Sequence, residues 1–417
     1  MAPVMKATSL VWRTDFAPTT AELDACVACG LCLPHCPTFR LTGLETASPR
    51  GRLAAMRGVA EGVLALDEVF EETMSFCLNC RACEAVCPSM VPFGRAMEGA
   101  RAEVAAARPT TTRRLRHFLL GRVIPNRGIA GVLTDFLRLG QTLRLHALLA
   151  GRARRSMNGM RPLARSSRAL ASVDGPRVGL LVGCVMDKWF GNVNQATIGL
   201  LEMGGYQVEV PSSQTCCGAL AVHDGNIKDG RRLAARNIAA FADTDLIVAT
   251  AAGCSAHLKS YGKIASDGDS LASRAFDVTE LIARLLNEGR LPALGSRGET
   301  VVVHDPCHLR HAQRITAAPR EILTAAGYEI IDADPEGICC GAAGIYSLTH
   351  PVASHQLGER IAQLVESVAT NSLVASANPG CEMQLRSHLN NGYRVVHPVE
   401  LYLEAIRSQD DHVFVDD

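Results

Sequence analysis

Beyond residue 176, short apolar runs alternate with longer stretches in which apolar residues recur every three or four positions, and the whole alternation occurs twice. In the first copy the runs Val178–Val182, Tyr206–Val210 and Leu246–Thr250 predict strands, with a helix near Asn192–Met203 and another before the third run. In the second copy the strands are predicted at Val301–Val303, Tyr328–Ile331 and Leu373–Ser376, with helices near Arg320–Ala326 and His355–Val368. Strands that alternate with helices imply parallel α/β units, whose ligands gather at the carboxyl ends of the strands. The N-terminal part has a different period. Arg52–Leu66 and Gly94–Ala107 are Ala-rich with apolar residues at helical spacing, so this part is expected to be helical. The pattern divides the chain into a helical domain at 1–110, a basic helical linker at 111–176, and two related α/β domains at 177–296 and 297–417.

Charge changes the picture locally rather than globally. The 417 residues carry 42 Lys+Arg and 42 Asp+Glu, so no overall basic field suggests nucleic acid as a partner. Residues 113–155, by contrast, hold ten arginines and one acid, Asp135, among leucines and valines. Such a stretch can lie on an anionic membrane surface. The preferred expectation is a linker whose arginines face solvent or a partner subunit, and 156–176 is expected to be a flexible boundary. The first residues, MAPVMKATSLVWRTDF, read as neither a signal peptide nor a span, and no run approaches the ~18 apolar residues of a membrane helix. Sixteen cysteines without a secretory signal point to reduced thiols and a cytoplasmic setting.

Eight of those cysteines form two copies of one spacing. Cys26, Cys29, Cys32 and Cys36 precede Pro37; Cys77, Cys80, Cys83 and Cys87 precede Pro88; each member of the second set lies 51 residues after its counterpart. C-x2-C-x2-C-x3-C-P is the ligand run of a two-cluster ferredoxin, in which the first three cysteines wrap one [4Fe-4S] cube and the fourth crosses to the other. Cys26, Cys29, Cys32 and Cys87 are therefore expected on one cube, and Cys77, Cys80, Cys83 and Cys36 on the other. Zinc sites use C-x2-C pairs separated by a longer finger, which fits less well. The fold class is then α+β multidomain: an α-helical two-cluster ferredoxin domain, followed by two duplicated Rossmann-like α/β cysteine-rich domains.

The other eight cysteines fall at matching places in the two α/β copies: Cys184, Cys216, Cys217 and Cys254 in one, Cys307, Cys339, Cys340 and Cys381 in the other. Both copies put 31 residues between the first cysteine and the vicinal pair. A glycine, Gly218 or Gly341, follows each pair and permits the close turn that would aim both sulfurs inward. Free cysteine is often simply buried, but eight coincident positions favour two metal sites, with further iron–sulfur centres as the open alternative to empty pockets. His304 and His308 beside Cys307, and His257 after Cys254, are candidate ligands, proton carriers or hydrogen-bond donors to ligands.

The segments CVACGLCLPHCPT, SPRGRL, CLNCRACEAVCPS, HDPCHLRHAQ, CCGAAGIYSLTHP and NPGC resemble those of the heterodisulfide-reductase-related iron–sulfur subunits, most of all the group that serves glycolate oxidases. The resemblance spans about residues 22–400. It implies an electron-transfer role beside flavin-containing oxidase subunits that convert glycolate to glyoxylate. It also implies a quinone or other membrane electron acceptor, and a peripheral position on the inner face of the cytoplasmic membrane. No G-x-G-x-x-G fingerprint lies between a strand and a helix, so no catalytic residue is assigned, and the isolated chain is expected to be inactive on glycolate. Equivalent subunits for D-lactate or glycerol-3-phosphate oxidation, and a thiol–disulfide reductase built on the Cys-Cys-Gly repeats, are the alternatives. The disulfide reductases end these repeats in C-x-x-C, whereas this chain has Cys254-Ser-Ala-His257 and Cys381-Glu-Met-Gln384, which argues against their noncubane clusters.

Overall fold

The computed structural model describes residues 12–126, 128, 129, 131, 159–161 and 174–413. Its N-terminal part is helical, with the longer helices at Pro49–Ala60, Glu68–Ser75 and Phe93–Ala107. Each start has a local cause. Ser48 caps the first of these by accepting from Gly51 N, with Pro49 at the first helical position, and Asp67 caps the second through Phe70 N. The helix expected at 52–66 begins three residues earlier and stops at Ala60. Gly62 turns at φ 73°, and the N–H groups of Val63 and Leu64 return to Gly58 O at 2.8 and 2.9 Å. The inward faces of these helices bury Leu53, Met56, Val59, Phe70, Met74 and Met97 together with Cys77 and Cys83.

Each cysteine-rich repeat is a four-stranded parallel sheet. The first contains β1 (Arg177–Leu181), β2 (Gln207–Glu209), β3 (Leu246–Ala249) and β4 (Ala275–Asp277) in the order β2-β1-β3-β4. The second contains β5 (Thr300–His304), β6 (Glu329–Asp332), β7 (Leu373–Ser376) and β8 (Arg394–Val396) in the order β6-β5-β7-β8. The central strands are apolar along their middle residues because helices cover both faces: Val178, Leu180 and Leu181 in β1 and Val301, Val302 and Val303 in β5 are all buried. Six strands match the sequence pattern. β4 and β8 are additions to it, because three residues carry too little periodicity to register.

Strand order places the chemistry. In each sheet the winding reverses between the first and third strands, and the crevice beyond their carboxyl ends is where an open α/β sheet receives a ligand. Cys184 and Cys254 follow β1 and β3; Cys307 and Cys381 follow β5 and β7. The repeats share one apolar core that takes in Val178 and Leu180 of the first and Val301 and Val303 of the second. They also meet where Ala252 N donates to Ala377 O at 3.1 Å, beside these strand ends.

The described part of the basic stretch is mixed: Arg114 and Arg122 are exposed, as expected, whereas others are held by acids. Arg113 is buried and pairs with Glu71; Arg116 pairs with Asp224 at 2.7 Å and Arg122 with Asp229 at 3.8 Å. Through these pairs the stretch is tied to both the helical domain and the first repeat. Within the expected flexible boundary, Arg161 is buried, bonding Glu382 Oε2 at 2.8 Å and both carboxylate oxygens of Glu400 at 2.7 Å. Six further arginines of the stretch, Arg127, Arg138, Arg144, Arg152, Arg154 and Arg155, lie outside the described residues.

Candidate metal centres

The two ferredoxin loops wind by the same device. Residues 28 and 79, just before the second cysteine of each run, are left-handed (Ala28 φ 56°, Asn79 φ 52°), and so are residues 30 and 81, just after it (Gly30 φ 87°, Arg81 φ 63°). Left-handed backbone costs an L-residue roughly 1–2 kcal/mol, so its recurrence at positions 51 apart in sequence marks loops held to one shape. With that shape, three cysteines of each run line one cavity. Asn79 N donates to Cys77 Sγ at 3.3 Å, a bond that suits a thiolate acceptor.

Two cavities open at these loops. One, of ≈440 Å³, is lined by Cys26, Cys29, Cys32, Cys83 and Cys87. The other, of ≈300 Å³, is lined by Cys36, Cys77, Cys80 and Cys83. Each holds three cysteines of one run and the last of the other, Cys83 lining both cavities, as does Phe93. The first faces outward: Cys29 is exposed, with Val27 and Leu31 exposed beside it. The second is interior, all four of its cysteines being buried. Burial pushes the thiols of Cys80 and Cys83 well above the usual range, and that of Cys32 up to about 11. A thiolate at these positions needs a compensating cation, which a metal supplies. Arg52, fully buried, borders the second cavity; it donates to Thr73 O, Thr38 Oγ1 and Ala47 O, yet its Nη2 has no partner. An anionic thiolate-bound cluster would satisfy that orphaned donor, so the second cavity fits an iron–sulfur cube, and the first offers a like set of cysteines.

The repeats gather their thiols as well. Cys184 and Cys216 sulfurs lie 3.4 Å apart, Cys217 and Cys254 sulfurs 3.3 Å. In the second repeat Cys340 and Cys381 sulfurs lie 3.3 Å apart, and Cys307 hydrogen-bonds Cys339. Gly218 (φ 93°) and Gly341 (φ 86°) make the turn expected after each pair, and a Cβ on Gly341 would come within 2.8 Å of Ser354 O. The thiol of Cys184 is held well above its usual range by the Cys216 hydrogen bond and burial, and that of Cys307 by the Cys339 hydrogen bond and burial. Side chains that no sequence motif marks hold the first pair in place. Asn237 donates to Cys216 O and accepts from Thr215 N, and Tyr261 OH donates to Cys217 O at 2.6 Å. Cys80 packs with Cys339 in one buried cluster, with the partly buried Cys307 against it, so the interior ferredoxin cavity abuts the second repeat.

The candidate histidines separate into two groups. His304 lies with Cys340 and Cys381, and burial lowers its pKa, which keeps it neutral. His257 and His308 line a polar cavity of ≈460 Å³ with Arg81, Arg95, Glu98, His223 and Lys263, between the helical domain and both repeats. Burial lowers His257 to about 4 and His308 to about 3, and the Nε2 of each has no partner. Burial alone would raise Glu98, but the 2.8 Å contact with His223 brings it down to about 2. Gln384, at the place of a final repeat cysteine, donates to Ser354 O at 2.8 Å and so serves the scaffold.

The 4Fe-4S dicluster domain family matches residues 22–91, and the cysteine-rich domain family matches 178–259 and 301–386. The chain is 34% identical to the probable glycolate oxidase iron–sulfur subunit of Bacillus subtilis (strain 168), over 92% of this chain and 94% of that one. It belongs to the family of glycolate oxidase iron–sulfur subunits. The Escherichia coli (strain K12) glycolate oxidase iron–sulfur subunit is 33% identical over 93% of this chain and 95% of its own. Lactate utilization protein A of Shouchella clausii (strain KSM-K16) is 28% identical over 52% of this chain and 94% of its own. The N-terminal domain of this chain is thus a [4Fe-4S] dicluster domain with two clusters, and the repeats behind it are cysteine-rich domains able to take further iron–sulfur centres. Among the described residues no helix is long and apolar enough to cross a membrane.

Proposed function

We propose that this chain is the electron-transfer subunit of a glycolate oxidase complex, carrying electrons from a flavin subunit that oxidises glycolate to glyoxylate toward a quinone at the inner face of the cytoplasmic membrane. The observation that carries the reading is the gradient between the two cysteine cavities, one at the surface beside exposed Val27 and Leu31 and one buried against the second repeat. Cys26, Cys29, Cys32 and Cys87 would hold the outer cube, and Cys77, Cys80, Cys83 and Cys36 the inner one. Such cubes exchange single electrons, whereas oxidation of a 2-hydroxy acid removes two together and needs a flavin or nicotinamide. The protein's own share is to fix eight thiolates, exclude water from the inner site, and place Arg52 against its negative charge. The likeness of half the chain to a lactate utilization protein favours lactate as the second substrate to test.

The test is reconstitution: flavin subunits with and without this chain, assayed for glycolate-dependent dye and quinone reduction, with D-lactate in parallel. Quinone reduction that requires this chain, with no turnover by the chain alone, supports the proposal. Glycolate turnover by the isolated chain, or unchanged quinone reduction without it, refutes it.

A further inference from the structure

The two repeats match in their cysteines but differ at one pair of facing positions. In the second sheet the last residue of β5, His304, is in register with the last residue of β7, Ser376. The corresponding pair in the first sheet is Leu181 and Ala249, in register at the ends of β1 and β3. One repeat therefore has an imidazole and a hydroxyl where the other has two apolar side chains, at the strand ends that face the sulfurs.

The polar pair is built into a site. His304, Cys340 and Cys381 are all buried, and a ring nitrogen of His304 and the two sulfurs lie within 4.8 Å of one another. His304 Nδ1 is 3.0 Å from Ser376 Oγ. With Nδ1–H donating there, Nε2 keeps its lone pair for a metal, the usual way a neighbouring acceptor fixes the tautomer of a ligating histidine. Asn378 Nδ2 donates to Cys381 Sγ at 3.4 Å, supporting a thiolate. The sulfurs of Cys340 and Cys381 are 3.3 Å apart. Two thiolates on one tetrahedral ion, with metal–sulfur bonds of about 2.3 Å, stand roughly 3.8 Å apart, so a small outward movement seats an ion between them. Terminal thiolates on different irons of a cube splay farther. The ferredoxin loops of this same chain show the contrast: among the described residues, none of their eight sulfurs makes a hydrogen-bond contact with another.

We propose that the second repeat, and not the first, binds a single tetrahedral divalent ion of the zinc type through His304, Cys340 and Cys381, with a water completing the fourth position. Soft sulfur with imidazole in a tetrahedral set selects such an ion. Zinc does not change oxidation state, so the second repeat organises the protein next to the inner cube and does not relay electrons. This stands apart from the electron-transfer reading, which survives if no zinc is found.

The test uses the full chain purified anaerobically. Elemental analysis should find one zinc per chain beside the iron, and zinc-edge X-ray absorption should show two sulfur neighbours and two nitrogen or oxygen neighbours. His304→Leu, which copies Leu181 of the first repeat, should lose that zinc while the spectra of the ferredoxin cubes stay unchanged, and His304→Cys should restore it. Cobalt(II) added after zinc removal should give tetrahedral d–d bands and a sulfur-to-cobalt charge-transfer band, both lost in His304→Leu. If that variant fails to fold, the absorption spectrum of the unmodified chain decides. A zinc site with sulfur neighbours only, full zinc retention in His304→Leu, or no zinc with several irons lost per chain in Cys381→Ser would overturn the proposal.

Discussion

Arg52 is the residue whose replacement speaks most directly to the inner cube. Its guanidinium is fully buried, with Nη1 3.1 Å from Thr38 Oγ1, which in turn lies 3.3 Å from Cys36 Sγ. Laid end to end, those contacts put the positive charge no more than about 6.4 Å from that sulfur. At an effective dielectric of about 20, one unit charge at that distance interacts by about 2.6 kcal/mol. For a one-electron couple this equals roughly 110 mV, on the scale of 59 mV per tenfold change in equilibrium. Reduction adds negative charge to the cluster, so removing the arginine disfavours the reduced form. Arg52→Met should lower the midpoint potential of the inner cube by on the order of 100 mV, while Arg52→Lys should recover most of it. The outer cube, whose cavity Arg52 does not line, should move much less. The assay is a redox titration followed by electron paramagnetic resonance, with thermal unfolding in parallel to register the lost bonds to Thr73 O and Ala47 O. An unchanged potential in a folded Arg52→Met variant, or an equal shift from Arg52→Lys, would refute both the placement of the inner cube and Cys36 as its ligand.

Three further outcomes follow from other parts of the molecule. Arg161→Ala leaves Glu382 and Glu400 as buried carboxylates without their shared cation, so unfolding by denaturant should show a loss of about 3–5 kcal/mol; a loss below about 1 kcal/mol would mean that Arg161 is not part of the fold. Burial lowers His397 to about 4, so between that value and the ordinary ~6.5 the unfolded chain binds the extra proton and stability drops as the pH is lowered. The cost at pH 5 should reach about 2 kcal/mol at 1.36 kcal/mol per pH unit, and a His397→Phe variant whose melting temperature falls just as steeply between pH 7 and pH 5 would contradict the assignment. Leu31→Asp puts a charge on the exposed apolar rim of the outer cavity; if the flavin subunit docks there, electron delivery should drop about tenfold or more, as for a central interface residue, with the cube spectra intact, and an unaltered rate would move the docking site elsewhere.

How legible all this is depends on the length scale of each signal. The ferredoxin spacing and the duplicated Cys-Cys-Gly pattern are local or repeated, so they stand out in the bare sequence, and six of eight strands follow from runs of Val, Leu and Ile. β4 and β8 are three residues each and leave no period to read. The linker departs from expectation for a different reason. A run of arginines looks solvated until the acids opposite are known, and Glu71, Asp224, Asp229, Glu382 and Glu400 come from other parts of the chain. Asn237, Tyr261, Glu98 and His223 escape a sequence reading because nothing near them in sequence marks them; only folding brings them to the sulfurs or to the polar cavity. Arg52 does lie in a recognised segment, SPRGRL, but its burial and unpaired Nη2 emerge only from the fold.

The central claim is that this chain relays electrons from glycolate that it does not itself oxidise. It is tested most directly by mixing glycolate anaerobically with the chain alone and with the chain bound to its flavin partners, while following the visible absorbance and paramagnetic signal of the cubes. The account predicts that the cubes bleach and become paramagnetic in the complex at a rate matching turnover, and stay oxidised in the chain alone. Cubes that remain oxidised in the complex while quinone is reduced at the full rate would contradict it.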